Sequence, residues 1–259
     1  MYRATCRFYG PLNDLLAPEN RQRDLIWQWD TPEPVREMIE GFGIPHVEVG
    51  LILVNGEPVA WEHRLQDGDR VAVYPPWVNL EPQVFVSLRP ARPPSGRFVL
   101  DVHLGKLARW LRLLGFDAAY ANGYDNETLA QIASTEKRIL LTRDRRLLMR
   151  SAVKYGHWVR TDDPREQLRE IVQWYDLVPL FKPFTRCADC NGRLAPVPKE
   201  EIIELLPPLT ARIYDDNTRC TNCGKIYWPG SHLKRITSLL EEISQGYTEI
   251  SRAGPQRER

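Results

Sequence analysis

Five aspartates stand where a chain would place them to hold a cation against a phosphate. Asp101 follows the apolar run Phe98-Val99-Leu100 at once, and Asp144 comes two residues after the run Arg138–Thr142, RILLT. Asp162 and Asp163 close the segment Trp158–Thr161, and Asp125 opens a helical pattern. Carboxylates gathered at one cleft repel one another unless a cation lies between them. Mg²⁺ and Mn²⁺ are hard ions that take such oxygen ligands. A site of this kind positions a water for in-line attack on a phosphodiester and stabilises the leaving oxygen. The bland alternative is that each aspartate caps the helix that follows it.

Basic residues crowd the same region. Lys137, Arg138, Arg143, Arg145, Arg146, Arg150, Lys154 and Arg160 fall between positions 137 and 160, opposed there only by Asp144. Lys106, Arg109 and Arg112 fan over one side of the pattern that follows Asp101. Together with Arg143, Arg145 and Arg146 they form a set suited to holding a phosphate backbone. Trp110 and Tyr124 are candidates for stacking on a base, or for the core or its rim. His103, two residues after Asp101, is a solvated or core histidine or a neighbour of the site.

A second constellation is made of sulfur. Cys187/Cys190 and Cys220/Cys223 are two C-x-x-C pairs separated by 29 residues, followed by the turn formers Asn191-Gly192 and Gly224. Each pair folds into a knuckle presenting two thiolates, and two knuckles give a closed tetrahedral zinc site, structural rather than catalytic. His232 is then surplus. Arg186, Arg193, Arg219 and Lys225 give such a ribbon a basic surface, for RNA or for stability alone. Cys6 stands alone.

The elements that must position these groups can be read in order. Phe98–Leu100 is a short buried strand. From Leu104, apolar residues recur at Leu107, Ala108, Leu111 and Leu114, one helical face, stopped by Gly115. Phe116–Tyr120 predicts a strand, Asp125–Ser134 a helix, Arg138–Thr142 a strand, Arg145–Lys154 a short basic helix, Trp158–Thr161 a strand and Pro164–Tyr175 a helix. Strands alternating with helices predict a parallel sheet covered on both faces. In such sheets the carboxyl ends of the strands share one edge, where sites form.

The first 80 residues read as a small α+β roll. Ala4–Gly10 predicts a strand and residues 32–42 a helix with Val35, Met38, Ile39 and Phe42 on one face. Leu51–Val54, Asn55-Gly56 and the residues after it predict a hairpin, and an Asp67-Gly68 turn precedes Val71, Val73 and Tyr74. Residues 81–96 contain five prolines and glycines, Pro82, Pro90, Pro93, Pro94 and Gly96, and predict an extended linker in which Val84–Leu88 can form a strand. Residues 181–245 form the ribbon and a closing helix, Leu233–Ile243, and 246–259 a flexible tail.

Composition bounds the classes. The 259 residues, 42% hydrophobic and 27% charged, suit about two globular domains. No apolar run approaches the roughly 20 residues that span a bilayer. The N-terminus lacks the apolar core of a secretory signal, so a cytoplasmic protein is expected, in which paired C-x-x-C means metal rather than disulfide. Residues 1–94 hold nine Lys and Arg against thirteen Asp and Glu, net −4, and the rest of the chain is +5. That asymmetry favours a polyanionic partner for the second half.

Two resemblances complete the reading. GIPHVEVGLILVNGEPV followed by LQDGDRVAVYPP resembles the ubiquitin-like sulfur carriers. Their working group is a terminal Gly-Gly, whereas here Tyr74-Pro75-Pro76-Trp77 occupies the matching place and the chain runs on. Docking a protein partner or a structural role is therefore expected of this module rather than sulfur transfer. DVHLGKLARWLRLLGFD, RILLTRDRRLL and DDPREQLRE resemble the PIN-like ribonuclease domain named after the C-terminal part of Mut-seven, over residues 97–180 and on through the cysteines. The resemblance implies an α/β PIN-like fold and cleavage of single-stranded RNA that depends on Mg²⁺ or Mn²⁺. Its acidic positions are Asp101, Asp125 and Asp144, with Asp162 or Asp163 as a fourth. The second acid is Asp125 or Glu127. The rival expectation is a non-catalytic RNA-binding adaptor using the same basic face, ribbon and ubiquitin-like module.

Overall fold

A computed structural model describes residues 1–76 and 96–230, with positions 237, 238 and 242. The linker 81–96 (apart from Gly96), the strand at Val84–Leu88, His232 and the tail 246–259 lie outside the described residues. So does the closing helix, except for those three helical positions. The chain divides into two compact units. One joins Met1–Gly105 to Tyr120–Arg160, and the other joins Lys106–Ala119 to Thr161–Arg259.

The first unit opens with the expected roll. Strand β1 (Tyr2–Phe8) pairs antiparallel with β2 (Leu25–Trp29). Helix α1 (Val35–Gly41) buries Val35, Met38 and Ile39. A hairpin of β3 (Leu51–Val54) and β4 (Glu57–Pro58) follows, and β5 (Arg70–Tyr74) inserts between β1 and β3, parallel to the former and antiparallel to the latter. The order β2-β1-β5-β3-β4 is a ubiquitin-like sheet. Asn55 and Gly56 both have positive φ, 53° and 91°, as a two-residue hairpin turn requires. Cys6 is a buried core residue. Strand β2 was not expected, although its pattern is legible in hindsight: Leu25 and Trp29 are buried and Ile26 and Gln28 exposed.

The same unit continues with β6 (Arg97–Leu100). Helix α2 (Gly105–Leu113) and strand β7 (Asp117–Ala119) come next in sequence and, except for Gly105, lie in the second unit. Helix α3 (Asn126–Thr135), β8 (Ile139–Thr142), α4 (Arg145–Leu148) and β9 (Gly156–Trp158) return to the first. Here β6 and β9 flank β8 and both run parallel to it, as the strand–helix alternation predicts. Two boundaries differ from expectation. Helix α4 stops at Leu148, after which the chain turns, with Val153 N–H donating to Arg150 O at 3.0 Å. Strand β9 runs from Gly156 to Trp158 rather than from Trp158 to Thr161, and at Gly156 a Cβ would come within 2.6 Å of Leu148 and 3.2 Å of Leu140 O.

A buried charge joins the two halves of this unit. Glu48 is wholly inaccessible, and its partners come from beyond residue 150. Oε1 accepts the Trp158 N–H at 2.7 Å and lies 3.2 Å from Nδ1 of the equally buried His157, while Oε2 lies 3.5 Å from the Arg160 guanidinium. Arg160 also donates to Pro11 O and Asp14, and His46 Nε2 lies 2.9 Å from Val153 O. Removing one partner of such a group strands a buried charge, which costs several kcal/mol.

In the second unit α2 buries Leu107, Ala108 and Leu111. Gly115, at φ 93°, ends that helix where a Cβ would approach Lys182 O to 2.1 Å. Helix α5 (Pro164–Trp174) follows, then β10 (Leu194–Pro196), α6 (Pro208–Ile213), β11 (Thr218–Cys220) and β12 (Ile226–Tyr227). The last three strands form an antiparallel sheet in the order β10-β11-β12. Among the described residues no helix is long and apolar enough to cross a membrane.

The Glu48 cluster sets a pH dependence. Burial pushes the Glu48 carboxyl up, but His157, Arg160 and the Trp158 N–H outweigh it and hold the group down at about 2. A folded-state value below the unfolded one adds stability that is present above pH 4.5 and is lost as pH falls towards about 2. Acid unfolding across that window, followed by circular dichroism, should be steeper for the native chain than for Glu48→Gln. Equal slopes would contradict the ionised assignment.

Candidate functional site

Two aspartates meet at the carboxyl ends of adjacent parallel strands. Leu100, the last residue of β6, lies opposite Leu141 of β8, so Asp101 follows one strand beside Thr142, the last residue of the other. The buried Thr142 hydroxyl donates to Asp101 Oδ2 at 2.6 Å. The Thr142 hydroxyl oxygen in turn accepts the backbone N–H of Asp144 at 2.9 Å. Asp101 is 5% exposed. Its Oδ2 also accepts the Arg143 N–H at 2.7 Å, and its Oδ1 accepts the His103 N–H at 2.9 Å. Asp144 caps α4 through Arg146 N–H at 2.9 Å and accepts the Asn126 side-chain amide at 3.0 Å.

The other acids are placed differently. Asp125 is the N-cap of α3, and the Thr128 N–H at 2.8 Å holds its carboxyl below the usual carboxylate range. It reaches this site through its neighbour in sequence, Asn126, which donates to Asp144. Glu127, the other candidate, is exposed and pairs with Arg150 at 2.7 Å. Asp162 and Asp163 are exposed and belong to the second unit. There Asp163 caps α5, its carboxyl held low by the N–H groups of Glu166 and Arg165. The capping reading thus describes Asp125, Asp144 and Asp163. For Asp101 it accounts for only one of three hydrogen bonds.

The donor set suits a hard cation. Asp144 carries one hydrogen bond on each carboxylate oxygen, and Asp101 carries one on Oδ1, so each of those oxygens retains a lone pair. Among the described residues, however, the acids do not close up into a group of three in the way the cysteines do. Thr142 and Asn126 were not singled out in the sequence. The signal was there: a hydroxyl between the last apolar residue of the strand and Asp144, and an amide beside Asp125.

The basic set needs one clear correction. Arg112, expected on a substrate face, is 3% exposed. Its guanidinium donates to Ala118 O at 2.9 Å, Asp189 O at 2.7 Å and Ala188 O at 3.2 Å, so it braces α2 against the first cysteine knuckle. Lys106 and Arg109 are exposed, Arg109 lying 3.4 Å from Asp189. Arg143 is half-exposed and Arg146 exposed, beside the two aspartates. Arg145 donates to Leu15 O at 2.6 Å and lies over the Trp158 ring. Of the wider run, Arg138 is buried, held by Glu136 and Phe98 O. Trp110 and Tyr124 are half-buried.

The four cysteines do come together. All four Sγ atoms lie within 4.8 Å of one another, with Cys190 and Cys220 at 3.4 Å and Cys187 and Cys223 at 3.7 Å. A tetrahedron with arms of about 2.3 Å has edges of about 3.8 Å, so the set fits a metal ion such as zinc. Gly192 is forced: a Cβ there would sit 2.8 Å from Cys220 Sγ. The Tyr227 hydroxyl lies 3.1 Å from Cys187 Sγ. With four thiolates no position is left for substrate water, so such an ion would stabilise the ribbon.

X-ray absorption at the zinc edge of purified protein should report four sulfurs at about 2.3 Å. Cys190→Ser should lose the metal and lower the melting temperature of the second unit. A shell containing nitrogen, or a Cys190→Ser chain that keeps zinc and stability, would contradict the site.

No curated protein and no solved structure matches the chain. Two family models do. The Mut7-C ubiquitin model matches residues 1–81, the region of the five-stranded roll. The Mut7-C RNAse domain model matches residues 96–240, over half the chain, including the parallel strands, both aspartates and all four cysteines. The chain therefore belongs to the Mut7-C RNAse domain family, with a Mut7-C ubiquitin domain ahead of the nuclease-type domain.

Proposed function

We propose that the protein is a metal-dependent ribonuclease that hydrolyses phosphodiester bonds of single-stranded RNA. The observation that carries this reading is the Asp101–Thr142–Asp144 unit at the carboxyl edge of β6 and β8. Asp101 and Asp144 are the residues that would hold Mg²⁺ or Mn²⁺, with Asp125 as a supporting acid. The ion, when bound, supplies Lewis-acid stabilisation of the charge that develops on the phosphate.

The chain's own groups do the rest. Thr142, His103 N–H and Arg143 N–H fix the Asp101 carboxylate, so its position does not depend on a mobile side chain. Asn126 and Arg146 N–H fix Asp144 in the same way. Arg143 and Arg146 bring positive charge to the mouth of the site, where a strand's phosphates are attracted.

The test uses a fluorogenic single-stranded RNA with Mn²⁺. Asp144→Asn, which keeps the shape of a solvent-facing group, should lower kcat by about 100-fold or more, the scale on which losing one charge-stabilising group acts. Asp101→Asn should do the same, with folding checked by circular dichroism. Activity undiminished in the double variant would contradict the assignment and leave an RNA-binding adaptor.

A further inference from the structure

The ubiquitin-like domain reaches the nuclease-type site through an unbroken line of hydrogen bonds. Glu48 Oε1 accepts the backbone N–H of Trp158 at 2.7 Å. The Trp158 indole Nε1 donates to the carbonyl of Arg143 at 3.3 Å. The backbone N–H of Arg143 donates to Asp101 Oδ2 at 2.7 Å. Three hydrogen bonds, relayed by Trp158 and Arg143, thus run from a carboxylate in residues 1–81 to the carboxylate proposed to hold the metal.

The surroundings hold this line in place. Trp158 packs against the hydrophobic core of the ubiquitin-like domain. The guanidiniums of Arg145 and Arg160 lie 4.9 and 5.5 Å from its ring centre. Arg145, the first residue of α4, is tied to Leu15 O, and Arg160 to Asp14. Trp158 also lies opposite Thr142 in the sheet, and Val159 N–H donates to Thr142 O at 2.9 Å. The segment Thr142–Arg145 is therefore fixed on one side by Asp101 and on the other by groups anchored in the first domain. A fully buried carboxylate is a costly way merely to glue two domains, since a packed apolar contact stabilises as well or better. What it adds is direction: a charged acceptor fixes where the Trp158 N–H, and with it the indole, must point.

We infer that Glu48 is a positioning residue for the nuclease-type site, acting through Trp158 on the Arg143–Asp144 turn. The ubiquitin-like domain is then a built-in part of the active site rather than a detachable docking module. This rests on the proposed ribonuclease reading, and the test separates the two.

Amide hydrogen exchange and RNA cleavage should be measured on the full chain and on Glu48→Gln and Trp158→Phe. The first variant keeps the shape at position 48, and the second keeps the ring but removes the indole N–H. Exchange should speed up at residues 142–146 in both variants while β6 stays protected, and kcat should fall about 10- to 100-fold with little change in KM, as expected of misplacement. If exchange rises equally across β6 and β8, or does not rise at 142–146, the inference is overturned. If the native chain cleaves RNA and both variants cleave it equally well, it is also overturned. If the native chain does not cleave RNA while the local loosening is still seen, the ribonuclease reading fails and the positioning of the turn by Glu48 stands.

Discussion

The Asp101 carboxylate is the constraint around which the nuclease-type half is arranged. A charge that is 5% exposed is costly unless hydrogen bonds replace the lost water. Three donors do so: one is local, the His103 N–H from the turn after β6, and two, the Thr142 hydroxyl and the Arg143 N–H, come from the end of the neighbouring strand β8. Satisfying Asp101 therefore demands that β6 and β8 be parallel neighbours in this register. The same demand places Asp144 within one hydroxyl of Asp101. A site built from carboxylates at one sheet edge follows from the burial of a single charge.

Two further polar arrangements act at longer range. In the first unit, Glu48 needs His157, Trp158 and Arg160, and it thereby makes the ubiquitin-like sheet and the parallel strands one compact body. In the second, Arg112 saturates the carbonyls of Ala188 and Asp189 at the first cysteine knuckle, while Asn191 bonds both the Asp117 carboxylate and the Ala118 N–H. The basic helix and the ribbon are thus held together by a buried cation. Each arrangement assigns a structural duty to a charge that a surface census would count as free for a ligand.

That duty explains what the sequence discloses and what it hides. Local patterns are legible: the RILLT strand, the Asn55-Gly56 turn, the apolar face of α2 and the two cysteine knuckles are each specified by a few adjacent residues. Asp101 is legible as a strand-end acid, because the apolar run before it can only be buried. Arg112 misleads because its helical position borders Leu111 and two of its three acceptors lie more than 70 residues away. Glu48 carries no local mark of its role, because His157, Trp158 and Arg160, which hold its charge, all lie more than 100 positions on. The basic run at 137–160 divides on the same principle. Arg138, Arg145 and Arg160 serve the fold, while the half-exposed Arg143 and the exposed Arg146 bond Asp101 and Asp144 through their backbone N–H groups.

The central claim is that Asp101 and Asp144 share a divalent cation. Anomalous diffraction from crystals soaked in Mn²⁺ tests it most directly. The account predicts a manganese peak bound by carboxylate oxygens of both residues, with the Thr142 hydroxyl still between them. Manganese absent from that pair, or bound only by acids elsewhere on the chain, would contradict it.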